Sequence, residues 1–318
     1  MSAFLNKKPL LEEEQQQQIA KVYFTAFLET TMKDKRGYIP VFRDYRYAKQ
    51  WLPEDIYINR YEDNSFVPVC TFDEDVDVTT GSKCGVTIET EYLDLWKEYD
   101  LSFRKWSTKR NNALTVGWKR DTTEISDSLD QELCMDTIAK YRITLPDSLI
   151  KAYSIDSNSF FVFSAANTKE RVPEDDDTES EDSVSNINNN NIENNGNKKE
   201  VKKDEEEKED EDSDEEEKPV QVGFTILMSD SEGNETKLPL SEFAYIPPVL
   251  KSKFLKWESQ NKRYGSDYEV TLQDFRLPLK TFIKQNPDFK PEKLSRIEFV
   301  FDQMPEGVVV IDRIGFAR

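Results

Sequence analysis

The sequence predicts a mainly β protein: one jelly-roll β-sandwich, preceded by an α-helical segment and interrupted by a disordered acidic insertion. Three observations carry this expectation. Short β-prone runs recur on both sides of residues 168–218, residues 10–33 repeat apolar side chains at helical spacing, and 168–218 hold almost no apolar residue.

The helix comes first. Leu11, Ile19, Val22, Tyr23, Ala26, Phe27 and Met32 recur without an intervening Gly or Pro, and Glu12 to Glu14 suit the positive end of the helix dipole. Phe24 and Leu28 widen the apolar stripe, so this helix wants burial on more than one side. Residues 37–63 mix aromatics and charge, as in Tyr38-Ile-Pro-Val-Phe42 and Trp51-Leu-Pro53, and read as loops and short turns packing on the helix. Residues 1–63 are taken as one helical and aromatic segment.

Strand signals follow from residue 64. Phe66–Val69, Gly85–Trp96, Leu101–Phe103, Ala113–Trp118, Tyr141–Pro146 and Ser159–Phe163 are β-prone before the acidic stretch. Val222–Met228, Tyr268–Leu272, Phe275–Leu277, Leu294–Phe301 and Val308–Phe316 follow it, the last two reading as a closing antiparallel hairpin. Ser229–Asn234 reads as a turn, and Leu238-Pro-Leu-Ser-Glu-Phe243 is faintly echoed by Leu277-Pro-Leu-Lys-Thr-Phe282. Eight to ten strands suit one sandwich better than two five-stranded fragments. The tract 168–218 is therefore expected as a disordered insertion within a single domain, 64–318, since loop-closure entropy grows only logarithmically and the tract has little to bury.

Composition narrows the function. The formal net charge is −20. Residues 170–218 contain 22 Asp/Glu and 7 Lys/Arg, so the rest of the chain carries only −5. This argues against nucleic-acid binding, which needs clustered Lys and Arg, and against docking on anionic membranes. The chain has no histidine, hence neither the usual general base at neutral pH nor the commonest metal ligand. Three cysteines, Cys70, Cys84 and Cys134, match no zinc spacing and suggest reduced thiols. With no signal-peptide pattern and no apolar run of membrane-spanning length, a cytoplasmic protein is expected; secretion would require a true N-terminus further upstream.

Two resemblances add to this. Phe275-Arg-Leu-Pro-Leu-Lys-Thr-Phe282, Leu294-Ser-Arg-Ile-Glu-Phe-Val-Phe-Asp302 and Gly307-Val-Val-Val-Ile-Asp-Arg-Ile-Gly-Phe316 resemble the end of a galactose-binding-like or carbohydrate-binding jelly roll, although Arg313 stands where such modules carry a small or acidic residue. Gln15–Leu28, Tyr38–Phe42 and Trp51–Pro53 resemble a stretch downstream of the catalytic core in large α/β-hydrolases. That core is absent here: there is no Gly-x-Ser-x-Gly elbow and no histidine to activate a serine. The resemblances imply a non-catalytic module for a glycan or protein ligand, derived from the accessory region of a hydrolase. The alternative is a subunit whose hydrolase core is encoded separately and docks on residues 10–33.

Candidate sites follow. Asp73, Glu74, Asp75 and Asp77 form a dense acidic cluster, open to reading as a solvated turn or as a calcium site. The accessory jelly rolls imply a structural calcium held by Glu74 or Asp75 together with Asp312. Asp230–Asn234 lacks the spacing of a calcium loop and reads as a hairpin turn. Trp96 and Trp118, on strands, belong to the core. Trp106 is a further candidate for a sugar platform, and Trp257 and Tyr264, in a polar stretch, are the better ligand-binding candidates. Thr178 and Ser213 each precede an acid by three residues and suit an acidophilic kinase.

Overall fold

Glu12 and Gln15 cap the first helix, α1 (Glu13–Lys33), reciprocally: the Glu12 N–H donates to Gln15 Oε1 at 3.2 Å, and the Glu12 carboxylate accepts from the backbone at Gln15. The helix stops at Asp34, whose left-handed backbone (φ 50°) turns the chain. The computed structural model describes residues 5–8, 10–74, 77–103, 107–120, 137–173, 222–251, 255–257, 259 and 268–318.

Residues 37–63 are more helical than expected. A 3₁₀ turn (Arg36–Tyr38), the short α2 (Ile39–Arg43) and a second 3₁₀ segment (Tyr45–Trp51) follow α1. Pro40 sits in the first turn of α2, where its missing N–H costs nothing. Asp44 caps the next segment by accepting from the Arg46 N–H. Ala26, Val41 and Ala48 form a small core here, flanked by Val22, Tyr23, Phe42 and Leu52.

The β structure is two antiparallel sheets. The first runs β11 (Gln273–Pro278), β6 (Phe160–Asn167), β13 (Glu306–Ala317), β4 (Ser107–Lys119), β3 (Leu95–Phe103), with β1 (Val67–Cys70) also paired to β13. The second runs β2 (Thr87–Glu91), β5 (Lys140–Thr144), β12 (Leu294–Val300), β7 (Thr225–Asp230), β8 (Glu235–Pro239). A two-residue pair, β9 (Leu250–Lys251) with β10 (Tyr268–Glu269), stands apart. The chain passes back and forth between the two sheets, which is the jelly-roll wrapping. Strands from both sides of the acidic tract pair directly: β6 with β11 and β13, and β5 with β12. Residues Met1–Val172 and Val220–Arg318 form one compact unit and Pro173–Pro219 a second. Thr178, Ser213 and the tract from residue 174 to 221 lie outside the described residues. The composition sets the start of the tract too early, because Glu170 pairs with Lys97 of β3 at 2.9 Å.

The core is aromatic where the sheets face each other. Phe163 of β6 stacks on Phe275 of β11 at 5.1 Å and meets Phe299 of β12 edge-on at 5.4 Å. Trp118 stacks on Phe301 at 4.3 Å, and its indole N–H donates to the Met304 carbonyl at 3.1 Å, so it is core as expected. Trp96 packs, half-buried, against the same core.

Two strand expectations are corrected. Gly85–Trp96 is not one strand: Tyr92, at φ 52°, breaks it, and the halves go to opposite sheets as β2 and β3. The closing pair is not a hairpin. β12 lies between β5 and β7 in the second sheet, and β13 between β4 and β6 in the first. The turn at Met304–Gly307 is thus a corner between sheets. Both strands are buried almost throughout and need neighbours on each side, so neither can serve as the other's only partner. Two short helices were also not anticipated, α3 (Asp147–Tyr153) and α4 (Leu279–Gln285). The Leu-Pro-Leu echo has a structural meaning: Pro239 and Pro278 each end a strand, and Leu240 and Leu279 each open a buried helical turn. Among the described residues no helix is long and apolar enough to cross a membrane.

Candidate functional site

The outer face of the first sheet carries a buried polar row. Asp274 of β11, Ser164 of β6 and Asp312 of β13 stand in register across three adjacent strands, and all three are buried. The Ser164 hydroxyl donates to Asp274 Oδ1 at 2.6 Å. Over this row lies a strap formed by residues 59–62. The Tyr61 N–H donates to Asp274 Oδ2 at 2.7 Å, the Asn59 N–H to Gln273 Oε1 at 2.9 Å, and the Asp274 N–H to the Asn59 carbonyl at 3.0 Å. The strap so covers the hydrogen-bonding edge of β11, an edge strand. Arg60 reaches across β6 to Asp312, with Nη2 at 3.2 Å from Oδ2.

The sequence feature that shapes this region is a bulge. Between Asp312 and Gly315 the pairing of β13 with β6 slips, and Arg313 takes a left-handed backbone (φ 54°). Bulges re-aim side chains. Here Arg313 turns toward the strap, pairs with Glu62, and lies 3.8 Å from Asp274 and over the Phe66 ring.

Asp312 is 1% exposed, and its Oδ2 also accepts from Asn111 Nδ2 at 3.1 Å, while Oδ1 has no hydrogen-bond partner among the described residues. Burial pushes its carboxyl up to about 6, against the opposing pull of Asn111, Arg60 and Arg313. A carboxyl near neutrality suggests acid–base chemistry when it lines a cleft. This one lies beneath a strap.

The other expected metal ligands are placed as follows. Glu74 accepts from the Thr71 hydroxyl and from the Thr71 N–H, and Asp73 accepts from the Asn112 N–H at 2.8 Å. Asp75 lies outside the described residues. The positive charge against Asp312 is the Arg60 guanidinium, and Glu74 is held by its own turn. Among the described residues, no group of three or more His, Cys, Asp or Glu side chains is placed to hold a metal ion. Asp230 is a turn residue as expected: its carboxylate accepts from Glu232 N, Asn234 N, Asn234 Nδ2 and Lys290 N.

The outer face of the second sheet is an ion-pair lattice. Arg142 of β5 reaches Glu91 of β2 at 2.8 Å and Glu298 of β12 at 2.9 Å, and Arg296 bridges Glu298 and Glu235. Its charges are spent on one another, so this face offers little to a ligand.

A recess remains at the N-terminal side. Leu5 bridges to Leu255 as an isolated β pair. Beside it, Asn6, Lys7, Lys8 and Lys256 line a surface recess of about 500 Å³. Trp257, next to Lys256 in the chain, is 51% exposed. Tyr264 and Trp106 lie outside the described residues. Of the predicted ligand-face residues, Trp257 is exposed and directly follows Lys256, a residue of the recess, in the chain. The contribution of Lys7 and Lys8 was not anticipated, because nothing local in the sequence links the N-terminus to residue 255.

Comparison with protein-family models and with curated proteins gives no match. Among solved structures, a family 30 carbohydrate-binding module is similar over 72% of this chain and 80% of its own, at 10% identity and a TM-score of 0.36. A family 11 module from Clostridium thermocellum, solved with a β-1,3-1,4-mixed-linked tetrasaccharide, is similar over 80% of this chain and 97% of its own, at 11% identity and a TM-score of 0.34. An agarase, AgWH50C, is similar over 79% of this chain and 26% of its own, at 9% identity and a TM-score of 0.34.

Proposed function

We propose that this chain is a non-catalytic β-sandwich binding module that takes a carbohydrate, specifically an anionic one, at the recess of Asn6, Lys7, Lys8 and Lys256. The observation that carries the reading is the gathering of three lysines at one recess, with the half-exposed Trp257 next in the chain to Lys256, in a chain of net charge −20. An exposed indole offers an apolar face on which a sugar ring can stack. The lysines supply point charges for carboxylate or sulfate groups. Catalysis has no counterpart to these features. The chain has no histidine, and of its buried carboxylates Asp274 is bound to the strap, Asp230 to its turn and Glu298 to Arg142 and Arg296, while Asp312, with Oδ1 unpartnered, is held through Oδ2 by Arg60 and Asn111 beneath the strap.

The test is affinity electrophoresis with polygalacturonate and a sulfated polysaccharide, against a neutral β-glucan. Retardation by the anionic gels is expected, to be weakened at least about tenfold by Trp257→Ala and by combined Lys7→Gln, Lys8→Gln and Lys256→Gln. Retardation that survives both variants, or none by any polysaccharide, overturns the reading. Ester and glycoside substrates should remain unhydrolysed in the same preparations.

A further inference from the structure

Two arginines meet where the helical segment joins the sandwich. Arg43 ends α2 and Arg276 lies on β11, and their Nη2 groups reach the same oxygen, the carbonyl of Arg318 just after β13, at 3.5 and 3.2 Å. Each guanidinium rests on a ring, Arg43 on Tyr61 and Arg276 on Phe160, both 5.2 Å from the centroid. The two forks are thereby held in place before any ligand arrives. One acid answers the pair directly: Asp63 lies 2.9 Å from Arg43 Nη2 and is also held by the Ser65 N–H and hydroxyl. Among the described residues Arg276 bonds to no carboxylate, the Nε of both arginines is buried without a partner, and neither Nη1 makes a hydrogen bond. Burial, and then the charge of Arg43, hold the Arg276 guanidinium below the usual arginine range, against the pull of Asp63 and Asp274. A guanidinium kept from water beside a like charge is stabilised by a bound anion.

We propose that Arg43 and Arg276 form a binding site for one oxyanion, a sulfate, a phosphate or a carboxylate group, which ties the helical segment to the sandwich. Two features select this ligand. The first is geometry. Both Nη2 groups already converge on one oxygen, so the guanidiniums stand close enough for a single anion to touch both, and the free Nη1 of each supplies a further donor. Planar forks of this kind match the oxygens of sulfate, phosphate and carboxylate. The second is charge. The Arg318 carbonyl that now bridges the pair is neutral, and Asp63 offers one negative charge to two positive ones. Because Arg43 belongs to the helical segment and Arg276 to the first sheet, an anion shared by the two favours their docked arrangement. The ligand chemistry has two sources, a free anion or an α-carboxylate at Arg318 itself, and the experiment separates them. The site uses none of Asn6, Lys7, Lys8 and Lys256, so it stands or falls independently of the carbohydrate recess.

The experiment is equilibrium dialysis of the full chain against labelled sulfate, with thermal melting in sulfate against sodium chloride of equal ionic strength. It is run in the combined Lys7→Gln, Lys8→Gln and Lys256→Gln background, which removes binding at the recess. One sulfate per chain is expected, with a saturable rise in melting temperature of about 3 °C at ten times the half-saturating concentration. Arg276→Gln should abolish both. Arg276→Lys, which keeps the charge without the fork, should weaken binding at least about tenfold. The same measurements are made on a form extended by Gly-Gly beyond Arg318. Binding by both forms identifies a free anion as the ligand. Binding by the extended form alone identifies the α-carboxylate at Arg318 as the resident oxyanion and supports the same site. Binding by neither form overturns the proposal. So does sulfate held equally by Arg276→Gln, or a melting shift that chloride reproduces.

Discussion

Asp312→Asn should make the protein more stable at neutral pH, by an amount that vanishes in acid. Asp312 is buried, keeps Oδ1 unpartnered, and titrates at about 6 where an ordinary Asp titrates at 3.8. A carboxyl with a raised pKa in the folded state favours its protonated form there. Its contribution to stability is therefore fully present below about 3.8 and is lost as pH rises through about 6. The difference between 3.8 and about 6 corresponds to about 3 kcal/mol, all of it lost above pH 7. Asparagine is neutral at every pH, and its carboxamide oxygen still accepts from Arg60 or Asn111. Urea titrations of both proteins at pH 4, 5, 6 and 7.5 isolate the effect. Carboxylates held low by their bonds in the fold, such as Asp230, tilt both curves equally and cancel in the difference. The variant should exceed wild type by up to about 3 kcal/mol at pH 7.5 and by less than about 1 kcal/mol at pH 4. A gap that stays the same at all four pH values, or a variant weaker at pH 7.5 than at pH 4 relative to wild type, refutes the reasoning.

Three further substitutions probe the frame around that residue. Gly315→Ala would place a Cβ 2.3 Å from the Val67 carbonyl oxygen and 2.7 Å from the Phe66 ring, so the β1–β13 pairing must open at a cost of about 3 kcal/mol or more, read by thermal melting. Gly233→Ala, at φ 87° with open space around it, should cost only the backbone term of about 1 kcal/mol; equal costs for the two glycines would contradict the assignment. Asp274→Ala strips Ser164 Oγ and the Tyr61 N–H of their acceptor, for about 2–4 kcal/mol. Trypsin should then cleave within residues 5–63 faster than in the sandwich, and wild-type cleavage rates would show that the strap is anchored elsewhere.

The sequence made part of this legible. α1 was readable because its apolar residues repeat at one spacing over 21 residues, whereas the burial expected on more than one side is met on one only, Phe24 and Leu28 being exposed. β6, β12 and β13 were readable because burial on both faces leaves continuous Phe, Val and Ile runs. β2 and β3 merged in the reading because the break at Tyr92 carries no Gly or Pro. α3 and α4, seven residues each, are too short for a periodic signal. The ordered start of the tract at Glu170 was missed because a Lys97 partner 73 residues earlier leaves no trace in local composition.

Sequence alone determined that the chain builds a β-rich core around its aromatics, that an acidic tract interrupts its strand-forming runs along the sequence, and that histidine chemistry is excluded. These follow from composition and periodicity, which act locally. Only the tertiary structure decided which strands pair, that Arg60 meets Asp312 across 252 positions, and that Lys7 and Lys8 join Lys256. Pairing of adjacent strands is not dictated by their own residues when both are buried on two faces. It is set by which arrangement lets every inner strand find two neighbours, a condition that only the whole sandwich can satisfy.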